Sequence, residues 1–351
     1  HLNLKKGYHQ RLLFNITDLA KYINPMKLND ELTNSIASVT EAAAIAAMPW
    51  VGKQDKNAAD AAAVAAMRER LNSLNINGQI VIGEGEIDEA PMLYIGEPVG
   101  NGQGEKIEIA VDPIDGTRMV ATGENNSLAI LAAGFEGSFL QAPDMYMEKL
   151  VVGKKAAGVI DLNHCLEYNL DAIAQTLNKS LSQLTLAILD KPRHHDIIID
   201  LRNRGINVIT LPDGDVLASL YATMPNNPID VMYGIGGAPE GVISAAIAKA
   251  LGGDMQARLI TRDIAKGNNA TNREIAAQEI SRCHNMGTDV NITLPLEILV
   301  RHQDVMFAAT AITAGDLLSG VTEQSDYLRT HSLVINGSTH SLRYIENYHL
   351  R

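Results

Sequence analysis

The second half of the chain repeats one pattern: a short apolar run, a polar loop and then a helical stretch. The apolar runs cover residues 184–189, 207–211 and 229–233, and the helical stretches begin at about His195, Asp215 and Pro239. This alternation predicts βαβ units and a parallel sheet. Ligands of such sheets bind beyond the carboxyl ends of the strands. The candidate binding loops are therefore residues 190–194, 212–215 and 234–241.

The first half of the chain mixes helices and strands. Apolar residues at helical spacing predict helices over residues 35–48 and 58–74. Short apolar runs predict strands over residues 79–82, 107–111, 128–132 and 150–152. We expect an N-terminal extension over residues 1–35, an α+β domain over residues 36–184 and an α/β domain over residues 185–351. Because Asn336-Gly337 separates an apolar run from an alternating segment, the second domain is expected to end in a hairpin.

Composition argues against several classes of function. The 351 residues are 46% hydrophobic and 20% charged, as in ordinary globular proteins. A net charge of -12 argues against a nucleic-acid partner. We expect no membrane span, because no apolar run approaches the roughly 20 residues that a span needs. The only two cysteines, Cys165 and Cys283, form no metal or disulfide motif, which favours a cytoplasmic protein.

Acidic residues and glycines gather where predicted strands end. Asp112 and Asp115 follow the run 107–111 in the segment D-P-I-D-G-T, where Pro113 restricts the turn, Gly116 allows close approach and Thr117 adds a hydroxyl. Mg²⁺ and Mn²⁺ prefer oxygen ligands of this kind. From local sequence alone, a metal-binding turn and a structural turn are equally good interpretations.

Three other acidic residues leave a similar choice open. Glu84 follows the strand 79–82 between two glycines, which also suits a solvated acidic turn. Asp60, close to Lys56, stands near the start of a helix, where an N-cap and a first-turn acid need no function. Glu240, near the start of another helix, is either a metal ligand or a first-turn acid.

The loops of the second half offer groups that bind anions. Lys191 and Arg193 could hold an anionic group, although a surface pair is the usual alternative. The segment 234–241 resembles a loop that cradles phosphate before a helix, but the chain has neither a dinucleotide fingerprint nor a Walker A motif. His194 and His195 are better explained as a solvated helix start than as zinc ligands.

The segment at residues 112–117 resembles the D-P-[IL]-[DE]-G-[ST] motif of the lithium-sensitive, metal-dependent phosphatases. Blocks at residues 52–60, 81–93, 142–147, 211–215 and 236–241 resemble bacterial class II fructose-1,6-bisphosphatases. The resemblance implies an α/β, two-domain sugar-phosphatase fold, a layered α/β/α/β/α sandwich. It also implies hydrolysis of the 1-phosphate of D-fructose 1,6-bisphosphate, Mn²⁺ or Mg²⁺ as cofactor, and a homodimer or homotetramer.

The same resemblance implies roles for particular residues. The implied metal ligands are Asp60, Glu84, Asp112, Asp115 and Glu240. The implied substrate contacts are Asp115, Gly116, Thr117, Tyr146, Lys191, Pro192, Arg193, Asp213, Gly214, Asp215 and Gly237. We predict that Thr117 orients the attacking water, and that Asp88 and Lys56 act as acid–base or positioning groups. One departure is Asp115, where class II members commonly carry Glu.

Two alternatives stay open. The first is the same chemistry on sedoheptulose 1,7-bisphosphate or another sugar or inositol phosphate. The second is a non-catalytic regulator that binds a sugar phosphate, against which the apparently intact carboxylate set argues.

Overall fold

The computed structural model describes residues 28, 30–83, 92–226 and 229–351, and within them the chain forms ten α-helices and fourteen strands. The helices are α1 (Asp30–Ala47), α2 (Lys56–Asn72), α3 (Thr117–Thr122), α4 (Leu166–Leu177), α5 (His195–Asn203), α6 (Asp215–Thr223), α7 (Ala238–Leu251), α8 (Arg262–Lys266), α9 (Ala270–Asn285) and α10 (Leu296–Leu299). The strands are β1 (Asn77–Ile82), β2 (Pro98–Val99), β3 (Lys106–Asp115), β4 (Leu128–Phe135), β5 (Tyr146–Val152), β6 (Thr185–Leu189), β7 (Asn207–Leu211), β8 (Val231–Gly237), β9 (Asp254–Ile260), β10 (Leu294–Pro295), β11 (Val305–Ala311), β12 (Thr322–Glu323), β13 (Tyr327–Asn336) and β14 (Ser341–Leu350).

The first sheet has eight strands in the order β12-β13-β11-β4-β3-β1-β2, with β14 paired to β13. β1 and β3 pair in parallel, whereas the pairs β3–β4, β4–β11, β11–β13 and β13–β14 are antiparallel. The predicted C-terminal hairpin is confirmed as β13 and β14. The first helix begins at Asp30 rather than at the predicted residue 35, because the helical segment includes polar residues before its first regular apolar positions.

The second sheet has six strands in the order β10-β9-β5-β8-β6-β7. β6 is parallel to both β7 and β8, as the strand–loop–helix alternation predicts. The sheet as a whole is mixed, because β5 pairs antiparallel with β8 and β9, and β9 with β10. The parallel prediction is therefore correct only for the three strands that generated it.

The two sheets and the helices form five layers. Successive residues of a strand point to opposite faces, so Leu131 of β4 packs under α1 and α2 while Ile130 faces the interior between the sheets. That interior is filled by α6 and α7, which also cover Met147 and Val151 of β5. Apolar residues of α4 and α5 cover the far face of the second sheet. The predicted layered α/β/α/β/α sandwich is confirmed.

The chain passes between the sheets more than once. β5 belongs to the second sheet although it precedes residue 184, and β11 to β14 belong to the first sheet although they follow it. The boundary between residues 184 and 185 stays a prediction. Residues 1–27 of the predicted extension lie outside the described residues. None of the described helices has both the length and the apolar character needed to cross a bilayer.

Candidate active site

A cavity of about 440 Å³ lies at the ends of β3, β6 and β8 and beside the starts of β5 and α8. It brings together residues from both sheets that are far apart in the sequence. The predicted residues that line it are Asp112, Asp115, Gly116, Thr117, Tyr146, Lys191, Arg193, Asp213, Gly214, Asp215, Gly237 and Glu240. The lining also contains residues to which the sequence analysis assigned no individual role: Ile114, Asp144, Met145, Leu189, Gly236, Arg262, Lys266 and Glu279.

The D-P-I-D-G-T segment ends β3 and begins α3. The register of β3 against β4 shifts between Asp112 and Asp115, so this buried strand carries a bulge that includes Pro113. The chain turns at Gly116, whose φ of 90° lies in the left-handed region and whose missing side chain leaves room for Met119. Both carboxylates are therefore part of a buried strand, and the turn comes only after them.

Two hydrogen bonds hold the motif in shape. Asp112 Oδ1 accepts from the backbone N–H of Ile114 at 3.0 Å. The hydroxyl of the half-buried Thr117 donates to the carbonyl oxygen of Ile114 at 3.2 Å. Thr117 Oγ1 consequently keeps lone pairs that can accept a hydrogen bond from a molecule in the cavity.

The carboxylates of the cavity repel one another. Burial, followed by the charges of Asp215, Glu240 and Asp213, holds the pKa of Asp115 well above its usual range. Burial raises the pKa of Glu240 to about 7, an effect that nearby Lys149 opposes and Asp215 reinforces. Within the described residues, Glu240 Oε2 and Asp215 Oδ1 are buried and have no hydrogen-bond partner. Such a cluster is stabilised by additional positive charge.

These donors are suited to a hard divalent cation. Carboxylate oxygens are the ligands that Mg²⁺ and Mn²⁺ prefer, and a buried oxygen without a partner is available for coordination. The described residues alone contain no group of three Asp, Glu, His or Cys side chains arranged to hold a metal ion. The predicted ligand Glu84 and the predicted catalytic residue Asp88 lie outside the described residues. The residues present therefore fit such a cation in their chemistry.

Lys149 of β5 belongs to the site although sequence reasoning missed it. Its side chain is fully buried, and its Nζ lies 2.5 Å from Asp215 Oδ2 and 2.8 Å from the carbonyl oxygen of Gly237. The sequence does contain a pattern that could have indicated this role: a lysine stands directly before the apolar residues 150–152. A charged side chain inside a buried strand requires a partner of opposite charge. Lys149 neutralises Asp215 and fixes the direction of its carboxylate.

The predicted loop over residues 234–241 is wrong. β8 continues to Gly237 and α7 begins at Ala238, because Gly236 and Gly237 pair with Met147 and Tyr146 of β5. Glycine is needed at position 236 because an added Cβ would lie 2.1 Å from Asp215 Oδ2. The backbone itself, rather than an open loop, forms this wall of the cavity.

Arg193 is held in place by its neighbours. Its Nε and Nη2 donate to the carbonyl oxygen of Ile235 at 2.8 and 2.6 Å, and its Cζ lies 5.3 Å from the ring centroid of Tyr146. Lys191 Nζ lies 3.4 Å from Asp213 Oδ1. Pro192 begins the 3₁₀ turn between these two cations and does not line the cavity.

The prediction of a solvated histidine pair is wrong for His194, which is fully buried, and correct for the exposed His195. His194 Nε2 accepts from the backbone N–H of Ile235 at 2.9 Å, so Nδ1 carries the proton and donates to the carbonyl oxygen of Leu189 at 2.8 Å. Burial lowers the pKa of His194 to about 4. The neutral ring thus links β8 to the loop on which Arg193 lies.

Lys56 and Asp60 do not line the cavity. α2 begins at Lys56, which is exposed, and Asp55 Oδ1 caps the helix by accepting from the backbone N–H of Ala58 at 2.9 Å. Asp60 is half-buried, and burial raises its pKa. Its Oδ1 has no hydrogen-bond partner in the described part of the chain. The roles of these two residues stay predictions.

Comparison with known proteins gives a consistent result. A family model described as bacterial fructose-1,6-bisphosphatase, glpX-encoded, matches residues 30–349. The class 2 fructose-1,6-bisphosphatase of Haemophilus influenzae is 53% identical over 322 residues, covering 92% of this chain and 97% of that protein. Fructose-1,6-bisphosphatase 1 class 2 of Escherichia coli is 53% identical over 319 residues, covering 91% and 95%. With matches that extend over nearly its whole length, the chain belongs to the family of bacterial class 2 fructose-1,6-bisphosphatases.

Proposed function

We propose that the chain hydrolyses the 1-phosphate of D-fructose 1,6-bisphosphate to fructose 6-phosphate and inorganic phosphate. The supporting observation is a single cavity that combines buried carboxylates, around Asp115 and Glu240, with cations at Lys191 and Arg193. Cations suit the phosphate oxygens, and carboxylates suit both a metal ion and the sugar hydroxyls. The names of the relatives agree with this substrate.

We propose that Mn²⁺ or Mg²⁺ is the cofactor and that the predicted ligands hold it: Asp60, Glu84, Asp112, Asp115 and Glu240. When bound, such a cation neutralises phosphate charge and lowers the pKa of a coordinated water. The partnerless oxygens of Glu240 and Asp60, within the described part of the chain, support this assignment.

The side chains of the cavity then have separate tasks. Thr117 Oγ1 donates to Ile114, so it can accept a hydrogen bond from the attacking water and orient it. Asp215 Oδ2 is held by Lys149, which leaves Oδ1 to accept from a sugar hydroxyl. As the water oxygen bonds to phosphorus, the bond from phosphorus to the sugar oxygen breaks, and that oxygen takes a proton. Asp88 and Lys56 are the proposed acid–base or positioning groups for these proton movements.

The decisive experiment measures phosphate release from fructose 1,6-bisphosphate with Mn²⁺, with Mg²⁺ and with a chelator. We expect activity with either or both metals, loss of activity on chelation, and loss in Asp112→Asn, which removes a proposed ligand. Asp171→Asn, on the exposed face of α4, is the matched control and should retain activity. Activity that survives both chelation and Asp112→Asn contradicts the metal mechanism. Comparison with sedoheptulose 1,7-bisphosphate measures substrate preference.

We also propose a cytoplasmic protein that forms a homodimer or homotetramer, as the family resemblance implies. Light scattering on the purified protein measures the mass of the assembly.

A further inference from the structure

We propose that strand β14 pairs antiparallel with β14 of a second copy of this chain, so that the first sheets of two copies join across a two-fold axis at Ile345. The proposal goes beyond the activity proposed above and does not depend on it. It names the surface through which the chain associates with itself and the register of that contact.

β14 forms one edge of the first sheet. All of its residues pair with β13, from Leu350 opposite Tyr327 to Ser341 opposite Asn336, and among the described residues no strand pairs with its other side. Such an edge presents a row of N–H and C=O groups to which another strand can bind. Natural sheets often protect their edges with proline, lysine or a bulge. β14 contains neither proline nor lysine, and its register has no bulge.

The backbone groups on the open side of β14 belong to alternate residues. The N–H of Arg351 donates to the carbonyl oxygen of Asp326 at 3.1 Å, and hydrogen-bonded pairs alternate with non-hydrogen-bonded pairs along antiparallel strands. The odd-numbered residues of β14 therefore bond to β13. The even-numbered residues direct their N–H and C=O groups toward the open edge: Leu342, Tyr344, Glu346, Tyr348 and Leu350. A second strand can bond to these groups.

The side chains of the even-numbered residues add an exposed apolar face. Tyr344 and Tyr348 are each 50% exposed, and Leu350 is 81% exposed. Tyr348 contacts Tyr327 of β13 edge to face, with 5.2 Å between the ring centroids. The opposite face of β14 lies toward α1, and Ile345 packs there against the cluster to which the apolar residues of α1 belong. A second strand beside β14 would extend both faces and cover part of the exposed aromatic surface.

The sequence of β14 favours one register for pairing with itself. Two antiparallel copies centred on Ile345 pair residues 341–349 of each strand, with Tyr344 opposite Glu346. Leu342 then lies opposite Tyr348, and no like charges face each other. A centre at Glu346 places two glutamates opposite each other, which destabilises strand pairing. Centres on either side of these two pair fewer residues of β14. The register at Ile345 has the self-complementarity that a two-fold interface requires.

The α1 side of this edge carries charges that a second copy can pair. Glu41 of α1 is 4% exposed; its Oε2 accepts from Asn347 Nδ2 at 3.0 Å and lies 4.0 Å from His349 Nε2. No arginine or lysine of the described residues forms a salt bridge with Glu41. Arg343 lies on the same face, with Nη2 3.5 Å from the exposed Asp30, and its Nε has no hydrogen-bond partner in the described part of the chain.

The register at Ile345 brings these two charges together. It places Arg343 opposite Asn347 of the second copy, whose amide holds the carboxylate of Glu41 in that copy. A guanidinium suits such a carboxylate, because it can donate two hydrogen bonds to it. The two-fold axis repeats the contact, so each copy supplies the cation that Glu41 of the other lacks.

The first test measures the mass of the assembly by light scattering. Ile345→Lys places two lysines opposite each other at the axis, so its mass should be half that of wild type, and Ile345→Glu should give the same result. An equimolar mixture of the two variants should regain the wild-type mass, because each lysine then faces a glutamate. Ile209, 39% exposed on the edge strand β7 of the second sheet, provides the control: Ile209→Lys should keep the wild-type mass.

A cross-link tests the register without added charge. Across the open edge Ile345 faces itself in a non-hydrogen-bonded pair, in which the Cα atoms lie about 4.5 Å apart, within the range of a disulfide. Cys165→Ser first removes the exposed native cysteine. In that background, oxidised glutathione should convert Ile345→Cys to a two-chain product. Asn347→Cys should stay a single chain, because its two copies lie roughly 13 Å apart along the strands.

Several results would overturn the inference. These are a wild-type mass of one chain, which would give the edge another occupant, an unchanged mass in Ile345→Lys, and a mixture of the charged variants that does not regain the wild-type mass. A cross-link through Asn347→Cys rather than Ile345→Cys would also overturn it. If the charged variants do not fold, as judged by circular dichroism, the cross-link alone decides. Turnover of fructose 1,6-bisphosphate is tested separately, so its absence overturns only the proposed function.

Discussion

Lys149 and Asp215 form a buried ion pair in which each side chain depends on the other. Lys149 is fully buried and Asp215 is 4% exposed, so removal of one partner takes from the other the opposite charge with which it forms its salt bridge. Breaking a buried pair in this way typically costs about 3–5 kcal/mol. We expect Lys149→Met and Asp215→Asn each to lower the free energy of unfolding by about that amount, and the double variant to lose clearly less than the sum. Urea unfolding of the four proteins measures the coupling, and strictly additive losses would show that none exists.

His194 makes stability depend on pH. Because burial lowers its pKa to about 4, the folded protein resists protonation, whereas the unfolded chain takes up a proton near pH 6.5. The stability that the neutral ring provides is therefore complete above pH 6.5 and is lost as the pH falls toward 4. Between about pH 7.5 and about pH 4.5 this loss should reach about 2–3 kcal/mol.

The adjacent exposed His195 supplies the control for that prediction. His194→Gln should show a smaller fall in the free energy of unfolding between the two pH values than His195→Gln. All other titrating groups are common to the two variants. Equal falls would mean that His194 does not titrate differently in the folded and unfolded states.

Some of these residues could be predicted and others could not. The carboxylates of the D-P-I-D-G-T segment stand together in the sequence, so their chemistry was visible locally. Lys149 is paired with a residue 66 positions later, and the acceptor and donor for His194 are Leu189 and Ile235. Burial of a polar side chain depends on such distant partners, which a local pattern does not contain.

Gly236 shows how one element allows another to approach the site. An added Cβ on this residue of β8 would lie 2.1 Å from Asp215 Oδ2 and 3.0 Å from Lys149 Nζ. Gly236→Ala must therefore displace the Asp215 carboxylate, and we expect kcat/KM for the bisphosphate to fall at least about tenfold. Steady-state kinetics measures this effect.

The matched control is Gly287→Ala. Gly287 has a φ of 74°, and an added Cβ would meet no described atom within 4 Å. Its substitution should therefore cost about 1–2 kcal/mol of backbone strain and leave kinetics unchanged. If Gly236→Ala retains wild-type kinetics, the present position of the Asp215 carboxylate is not required for activity.

At the level of elements, strands and helices were easier to predict than their ends and partners. Apolar periodicity identified β6, β7 and β8 and the helices that follow them. The end of β8 was predicted too early, because Gly236 and Gly237 were interpreted as part of a loop. In the structure they pair with β5. Apolar periodicity also gave no indication that β5 and β9 join the same sheet, since antiparallel pairing between distant segments leaves no local signal.

For the whole molecule, the central helix α7 explains why the two sheets share one core. Eleven of its fourteen residues are buried, including residues on all of its faces, as expected for a helix enclosed between layers. Its apolar residues belong to one cluster with Ile130 and Phe307 of the first sheet and Val151 of the second. The layered fold followed from the family resemblance, whereas periodicity alone could not show which strands lie on either side of α7.

This shared core predicts that the two sheets unfold together. Ile247 of α7 is fully buried, and Ile→Ala in such positions typically costs about 2–5 kcal/mol. We expect Ile247→Ala to lower the free energy of unfolding by that amount in a single transition. Native-state hydrogen exchange should then show an equal loss of protection for the most protected amides of β4 and of β6, one strand from each sheet. Ile199→Ala, at a position 57% exposed on α5, should change stability by no more than about 0.5 kcal/mol. Loss of protection confined to one sheet would mean that α7 stabilises only that sheet and that the other unfolds independently.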